Sequence, residues 1–424
     1  MHSSSVRACV VILMAALMVA CHKDQKPDFY SELPPGAKAL RKIGPAEYPD
    51  FSRCMWNFAV LPHAVDQSLQ YIAHGSARKA YPYLDIDYPR AVASLRAFRL
   101  LLDEAAKQPD PGKYIDQQIR DRFEVYKSIG GRNPEGTGYT DTVLFTGYCT
   151  PDREASLTPG GAYRWPIYKR PSDLATDKDT GEVKGRQLPD GSVAPYWTRA
   201  QIEGQGKLTG QELAWLKSRW EAYVVTVQGS ARLKLPDGRI MIVGYAGNNG
   251  YNYTSPSDQM IQDGILTREN RNIRSIGAYF DSHPEAMDKY LWLNQRFVFF
   301  TETSGDPVGC LNVPVTEMAT LATDKEVYPR AMPAFLIAPV PVPESPTQKF
   351  EFHGFMMDQD AGGAIRAAGR ADIYMGIGDP AEQRAGHQLA EGALYYIAIK
   401  PDYIPQYQTP LPAESLRPAP KPKQ

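Results

Sequence analysis

Two isolated aspartates, Asp360 and Asp372, lie in the glycine-rich stretch that runs from residue 358 to residue 386. Neither has a charged residue directly beside it. An acid between apolar neighbours is expected to be partly desolvated, which raises its pKa toward the value that a general acid needs. Both residues could equally be aspartates of turns and helix caps. From the residues alone, the two interpretations stay open.

The residues around each acid predict the backbone conformation at that position. Asp360 precedes the pair Gly362 and Gly363, which allows the backbone to bend tightly and to approach a ligand closely. Asp372 interrupts a short apolar run, residues 371–377, which predicts a strand. We therefore expect one acid at a tight turn and the other within a strand.

Two helix starts are predicted from capping patterns. Asp379 can cap a helix in which Pro380 takes the first position and Glu382 completes a capping box. A second capping box, from a serine to Glu285, predicts a helix over 282–293.

The rest of the chain predicts a mainly β, α+β protein. Residues 45–127 have a helical pattern, clearest near Pro89. Strands are predicted over 142–148, 231–235, 239–245, 297–301 and 335–342, the second and third forming a hairpin. Short strands mixed with few helices favour β-barrels over a doubly wound sheet. No glycine-rich phosphate motif opens a helix, so we expect no nucleotide cofactor.

The N-terminus predicts export and a lipid anchor. The apolar run over 8–20 is shorter than the roughly 20 residues that span a bilayer, and it fits a cleaved signal peptide. It ends Leu-Met-Val-Ala before Cys21, similar to a bacterial lipoprotein box with Met18 where leucine is usual. A lipid on Cys21 would anchor the protein to a membrane without spanning it. His22 rather than an acid follows, so we expect the periplasmic side of the outer membrane; the alternative is a soluble periplasmic protein.

Charge and cysteine content exclude several classes of function. With a net charge of −1, the chain has no excess of positive charge that would attract nucleic acid. Cys54, Cys149 and Cys310 form no metal pattern, and we expect buried free thiols, with one disulfide as the alternative. His353 and His387 bracket the acid stretch without metal-ligand spacing. We expect no metal.

Several segments carry a family resemblance in sequence order. They are FTGY (145–148), WPIYKRPSDL (165–174), YWTRAQIEGQGKLTGQELAWL (196–216), VQGSARLKLPDGRIMIVGYAGNNGYNYTS (227–255), LNQRFVFF (293–300), LATDK (321–325), DQDAGGAI (358–365) and DIYMGIG (372–378). Together they resemble the membrane-bound lytic murein transglycosylase A family, with its C-terminal 3D domain. Any one motif is weak, but their order is specific.

The resemblance implies a double-psi β-barrel domain with an inserted second β-barrel domain, peripheral helices and a glycan groove between the two domains. The expected segments are a lipoprotein signal peptide at 1–20, a tether at 21–44, a discontinuous catalytic domain with N-terminal helices at 45–150 and 294–404, the inserted substrate-groove domain at 151–293, and a disordered Pro-rich tail at 405–424.

The resemblance also implies the reaction. The family cleaves the β-1,4 bond between N-acetylmuramic acid and N-acetylglucosamine without water and forms a 1,6-anhydro ring. One carboxyl can act as acid and then as base, and by position it is Asp372. Asp360 would support it, and Asp324 would be structural. Arg370 and Ala371 depart from the family pattern before Asp372.

Peptidoglycan glycan strands are the expected partner, with wall-remodelling proteins as further possible partners. The expected substrate-binding residues are Tyr148, Gln228, Gly229, Ser230, Tyr245, Gly247, Asn249, Tyr253, Gly362 and Gly363, although each could instead be a turn glycine or a half-buried polar residue. Two other functions stay open. One is an inverting hydrolase with Asp372 as acid and Asp360 as base, and the other is a non-catalytic wall-binding lipoprotein.

Overall fold

The computed structural model describes residues 26–177, 182–267 and 270–408. The predicted signal peptide, Cys21 and residues 409–424 of the predicted tail lie outside these ranges. Among the described residues, no helix is both long and apolar enough to cross a membrane.

The residues that the structure describes form nine α-helices and five short 3-10 helices. The α-helices are α1 Leu61–Ala73, α2 Tyr88–Ala105, α3 Pro111–Arg122, α4 Arg199–Gln205, α5 Arg219–Gln228, α6 Pro256–Gln262, α7 Ile273–Ser282, α8 Met287–Leu291 and α9 Asp379–His387. Short 3-10 helices span Pro45–Glu47, Phe51–Arg53, Gly75–Ala80, Pro284–Ala286 and Pro401–Tyr407.

The strands are β1 Leu40–Ile43, β2 Phe123–Ser128, β3 Val143–Thr150, β4 Asp152–Ser156, β5 Trp165–Tyr168, β6 Leu174–Thr176, β7 Val183–Gln187, β8 Val193–Ala194, β9 Glu212–Leu216, β10 Ser230–Lys234, β11 Ile240–Asn248, β12 Val298–Thr303, β13 Thr320–Ala322, β14 Pro333–Val342, β15 Ser345–Asp360, β16 Arg370–Ile377 and β17 Leu389–Ile399.

The first sheet closes into a six-stranded barrel. Its order is β1-β2-β17-β14-β15-β13-β16-β3, and β3 also pairs with β17, which closes the ring from β17 to β3. Most neighbours are antiparallel, but β3 pairs with β16, and β13 with β15, in parallel. β1 and β2 extend the sheet beyond β17.

The N-terminal helices cover this barrel. Asp87 caps α2 by accepting a hydrogen bond from the Arg90 backbone, and the first turn contains a proline, as the predicted helix near residue 89 requires. Phe98 on the buried face of α2 lies 4.9 Å, centroid to centroid, from Phe355 of β15. Burying such a side chain contributes roughly 1.5–3 kcal/mol, so the helix is held by packing more than by its own propensity.

The second sheet has the order β12-β11-β10-β4-β9-β5. Its outermost strands meet at a bridge between Lys169 and Phe300. Alternating residues of the β10–β11 hairpin, among them Leu233 and Val243, are fully buried on one face of this sheet. The predicted hairpin is confirmed. β6, β7 and β8 form a separate small sheet.

The sheets differ from the predicted segments at several boundaries. β1 pairs with β2, so residues 40–43 belong to the first sheet rather than to a tether. β12 pairs with β11, so the second sheet extends past the predicted end of the insert at residue 293. The 3-10 helix Pro401–Tyr407 buries Tyr407, so residues 405–407 are packed rather than disordered.

The predicted helix over 282–293 is helical in its interior, where the 3-10 helix Pro284–Ala286 and α8 Met287–Leu291 lie, but the predicted cap at Ser282 is wrong. Asn272 caps α7 by accepting from the Ser275 backbone, and α7 ends at Ser282. The Ser282 hydroxyl bonds back to the Ala278 carbonyl and therefore caps nothing. Pro284 lacks a backbone N–H and so cannot continue the helix beyond it.

Candidate active site

Asp360 and Asp372 lie on one row across the first sheet. Ala322 of β13 pairs with Asp360 of β15 on one side and with Asp372 of β16 on the other. On the far side of β16, Asp372 pairs with Thr146 of β3. Side chains in register on neighbouring strands point to the same face of a sheet. The two acids and Thr146 therefore share one face.

Asp372 is half-buried, with 19% of its side chain exposed. Its Oδ1 accepts a hydrogen bond from the Thr146 hydroxyl, and Nη2 of Arg370 lies 3.5 Å from the same oxygen. Burial raises the pKa of Asp372; Arg370 opposes this increase, and the nearby charge of Asp360 adds to it. The result is a carboxyl that holds its proton more tightly than an exposed aspartate and still reaches solvent.

Asp360 is held by three hydrogen bonds. Its Oδ1 accepts from the backbone N–H groups of Cys310 and Ala361, each at 2.8 Å. Its Oδ2 accepts from the Tyr148 hydroxyl at 2.8 Å. Burial raises the pKa of Asp360 above its usual value, although these three donors oppose the increase. The carboxyl is therefore fixed in position.

Asp324 lies in a buried turn after β13. Its Oδ1 accepts from the Glu326 backbone at 3.0 Å, and its carbonyl accepts from Val327 and Tyr328. Burial raises the pKa of Asp324. These contacts hold the turn together, and the structural role of Asp324 stays a prediction.

The adjacent Lys325 forms a buried ion pair with Asp358 of β15. The Asp358 Oδ2 also accepts from Thr323 at 2.8 Å and from Tyr396 at 2.7 Å. Burial raises the pKa of Asp358, and Lys325 opposes this increase. The LATDK segment thus ties β13 to β15 beside the acids.

Three predicted substrate-binding residues, Gln228, Gly229 and Ser230, lie where α5 leads into β10, and two of them contact β3. The Gln228 side chain accepts from the Cys149 backbone of β3 at 3.1 Å. The Ser230 hydroxyl lies 3.0 Å from the Thr150 hydroxyl. Gly229 has a φ of 79° and ends α5, a conformation that favours glycine. These contacts place the second sheet against the strand that carries Thr146.

A polar chain runs from the second sheet toward the turn after Asp360. Half of the Tyr245 side chain is exposed, and its hydroxyl accepts from Asn248 at 2.6 Å. Arg296 donates to the Asn248 amide oxygen at 3.3 Å and to the Tyr251 carbonyl at 3.0 Å. A Cβ on Gly363 would lie 2.8 Å from Arg296 Nε, so this glycine is required for the close approach. Gly362 begins the same turn, its carbonyl accepting from the Ile365 backbone.

Other predicted groove residues have structural partners. Asn249 is buried; its amide nitrogen donates to the Trp197 and Gln295 carbonyls, and its amide oxygen accepts from the Phe297 backbone. Substrate binding by Asn249 stays a prediction. Gly247 marks a β-bulge, where a Cβ would lie 2.5 Å from an arginine side chain.

Two predicted stacking residues have hydroxyls that face protein groups. Burial raises the pKa of Tyr253, and its hydrogen bonds to Ser255 and Tyr223 oppose the increase. The ring of Tyr148 is tilted against that of Tyr374, with the two ring centroids 5.1 Å apart. The Tyr148 hydroxyl donates a hydrogen bond to Asp360. Of the two, only Tyr148 contacts a candidate acid.

Thr146 and Arg370 were not predicted from the sequence as neighbours of Asp372. Arg370 is buried and donates through Nη2 to the Thr146 hydroxyl at 2.8 Å. The sequence did hold a signal for Arg370, because it lies two residues before Asp372 and residues two apart on a strand point to the same face. Arg296 was also missed, since nothing local links it to the turn at Gly363.

The predicted cap of α9 is displaced by one residue. Gly378, with φ of 81°, precedes the helix, and Asp379 is its first residue. The Glu382 side chain is used by an ion pair with Arg153 rather than by a capping box. The helix is present as predicted and begins one residue earlier, at Asp379.

The cysteines and histidines lie outside the proposed chemistry. Cys54, Cys149 and Cys310 are free thiols; the first two are buried, but Cys310 is exposed, contrary to expectation. His353 contacts Glu351, and His387 contacts a backbone carbonyl. Across 26–177, 182–267 and 270–408, no group of three or more His, Cys, Asp or Glu side chains is placed to hold a metal.

Comparison with known proteins points to one family. Residues 144–301 match the family model described as the MltA specific insert domain, and residues 319–398 match the 3D domain. The membrane-bound lytic murein transglycosylase A of Escherichia coli (strain K12) is 31% identical over 275 residues, which cover 63% of this chain and 68% of that protein. The Vibrio cholerae protein of the same name is 28% identical over 279 residues, 64% of this chain and 68% of the relative.

Solved structures share the fold. A membrane-bound lytic murein transglycosylase from Agrobacterium tumefaciens matches with a TM-score of 0.67 and 24% identity, over 87% of this chain and 99% of that one. E. coli MltA with bound chitohexaose matches with a TM-score of 0.65 and 22% identity, over 89% of this chain and 100% of that one.

Proposed function

Since this chain belongs to the membrane-bound lytic murein transglycosylase A family, we propose that it cleaves the MurNAc-β-1,4-GlcNAc bond without water and leaves 1,6-anhydro-MurNAc ends. The general activity, that of a lytic transglycosylase, follows from the family. The observation that carries the finer proposal is the half-buried carboxyl of Asp372, whose pKa is raised by burial while part of the group still reaches solvent.

Asp372 serves as the single acid and base. Its protonated carboxyl gives a proton to the glycosidic oxygen as the bond from C1 of MurNAc breaks. The C6 hydroxyl of the same sugar then bonds to C1, and its proton passes to the Asp372 carboxylate. The enzyme regains its starting state, and no water enters the product.

Asp360 supports the acid rather than activating a water. Both of its oxygens already accept hydrogen bonds, from Cys310 and Ala361 on one and from Tyr148 on the other. An inverting hydrolase needs a carboxylate that is free to take a proton from water. The contacts of Asp360 therefore favour an electrostatic role, in which its charge keeps Asp372 protonated.

The glycan strand lies in a groove between the two sheets. Support comes from the exposed Tyr245, from Arg296 beside Gly363, and from the chitohexaose bound in the matched E. coli structure. An aromatic face and hydrogen-bonding groups suit a long polar glycan. In this arrangement, the first barrel carries the catalytic acids and the second sheet forms the inserted domain.

Two further features belong to the proposal. The first barrel is of the double-psi type, which its two parallel strand pairs within an otherwise antiparallel ring support. Cys21 carries the lipid that anchors the enzyme at the periplasmic side of the outer membrane, which the name of the relatives, membrane-bound, supports. Labelling cells with a fatty acid tests the anchor, since Cys21→Ala should lose the label.

Mass spectrometry of digested peptidoglycan tests the reaction. The wild-type protein should release muropeptides that are lighter by one water than hydrolysis products, and Asp372→Asn should release none. Asp379→Asn, at an exposed aspartate on α9, is the matched control and should keep full activity. Reducing ends that contain an added water would instead establish the inverting hydrolase. A folded wild-type protein that binds glycan but releases nothing would establish the non-catalytic wall-binding lipoprotein.

A further inference from the structure

Arg370 is a buried cation beside the proposed acid. It lies two residues before Asp372 on β16, so both side chains point to the same face. Only 8% of its side chain is exposed. Its Nη2 donates to the Thr146 hydroxyl at 2.8 Å and lies 3.5 Å from Asp372 Oδ1.

These contacts give the two carboxyl oxygens of Asp372 different roles. The Thr146 oxygen accepts from Arg370, so the hydroxyl hydrogen is free to be donated to Asp372 Oδ1. Within the described ranges, Oδ2 has no hydrogen-bond partner. The transferable proton is therefore directed to Oδ2, because Oδ1 is held as an acceptor.

Tyr30 covers the other side of the guanidinium. The centre of its ring lies 4.9 Å from the Arg370 guanidinium carbon, and its hydroxyl accepts from Arg271 Nη2 at 2.5 Å. The Nε of Arg370 is buried, with no hydrogen-bond partner among the described residues. An arginine stacked on a ring and shielded from water interacts strongly with the few groups it reaches. Those groups are Thr146 and Asp372.

We propose that Arg370, acting through Thr146, is a positioning residue that fixes Asp372 Oδ1 and leaves Oδ2 to carry the proton. This proposal rests on the proposed function. The charged and titratable groups that face Asp372 are Arg370 on β16, Asp360 on β15 and Tyr148 on β3. β13 presents apolar Leu321 and Ala322 at this register. Arg370 is the one cation of this set.

The test measures kcat, KM and the pH profile on soluble glycan strands. Arg370→Gln should lower kcat roughly 10- to 100-fold, as misplaced catalytic groups do, with KM nearly unchanged. It should also move the alkaline midpoint of kcat to higher pH, since a cation that favours the Asp372 carboxylate is lost. Arg370→Lys should recover part of both effects.

A second pair of variants keeps the proposal testable if Arg370→Gln does not fold. Thr146→Val removes the hydroxyl at nearly constant volume and should lower kcat similarly, whereas Thr146→Ser keeps the hydroxyl and should lose much less of kcat than Thr146→Val. Wild-type kcat and an unchanged midpoint in Arg370→Gln, or wild-type kcat in Thr146→Val, would overturn the proposal. If Asp372→Asn is still active, the proposed function itself fails. If Asp372→Asn is inactive and Arg370→Gln is unaffected, only the role of Arg370 fails.

Discussion

Asp360 and Asp372 face the same side of the barrel across a single strand, with Ala322 paired to both of them. Two interstrand spacings put their backbones about 10 Å apart. Carboxyls of inverting glycosidases are separated by roughly 6.5–9.5 Å, so spacing alone does not separate that mechanism from the proposed one. The hydrogen bonds on Asp360 favour the proposed mechanism, because three of the roughly four acceptor sites of this carboxylate are already used by protein donors.

Asp360→Asn should change the pH dependence rather than the product. The charge of Asp360 raises the pKa of Asp372, so removing it should move the alkaline midpoint of kcat to lower pH. At neutral pH, we expect activity to fall roughly tenfold for each unit of that displacement. Tyr148→Phe is the control, because it removes a hydrogen bond but keeps the carboxyl. A pH profile of anhydro-muropeptide release provides the measurement, and an unchanged midpoint would contradict the electrostatic role.

Asp372→Asn should stabilise the fold above the raised pKa of this carboxyl. Burial raises the folded-state pKa of Asp372 above the ordinary value of 3.8, so the folded state binds this proton more tightly than the unfolded state. Its contribution to stability is full below the unfolded pKa and is lost as the pH rises through the folded pKa. The asparagine variant has no such loss.

Urea unfolding at several pH values checks this second prediction. The midpoint difference between Asp372→Asn and the wild type should grow as the pH rises and disappear toward acidic pH. Asp379→Asn reports the effect of an exposed substitution. If the wild type is the more stable protein at pH 8, the ion pair with Arg370 outweighs the burial of Asp372.

Helices and strands were easier to predict from the sequence than the contacts that their side chains make. Local patterns located β16, the β10–β11 hairpin and α9, because alternation and glycine or proline positions act within a few residues. Local patterns failed at positions where contacts with distant parts of the chain determine the structure. Ser282 was predicted to cap a helix, but the helix that contains it begins after Asn272, and the burial of Asn249 depends on partners such as Gln295 that are distant in sequence.

Long-range neighbours were the hardest to predict. Thr146 lies in the FTGY motif, but its contact with Asp372 depends on parallel pairing between strands that are far apart in sequence. Gln228 and Ser230 were predicted from their motif to bind substrate, and their contacts with β3 could not be predicted from it. A matched motif thus indicated that these residues matter without indicating what they touch.

Lys325→Met should destabilise the protein by about 3–5 kcal/mol, because it leaves the buried Asp358 carboxylate without its cation. The remaining donors, Thr323 and Tyr396, are neutral and compensate only in part. Chemical denaturation gives the free energy of unfolding. The double variant Lys325→Met/Asp358→Asn should recover part of the loss. If Lys325→Met alone unfolds like the wild type, the pair is not a stabilising link between β13 and β15.

Tyr245→Ala should weaken glycan binding without impairing the chemical step. Half of its side chain is exposed beside Asn248 and Arg296, on the side of the second sheet that reaches Gly363. An aromatic contact contributes about 0.5–1.5 kcal/mol, so KM for soluble glycan strands should rise roughly two- to tenfold with kcat unchanged. Ile240→Ala is the matched control, since Ile240 is similarly exposed at the opposite end of the same strand. An equal rise in KM for both variants would indicate a general loss of the second sheet's structure. A fall in kcat for Tyr245→Ala alone would place Tyr245 among the groups that position the reacting sugar.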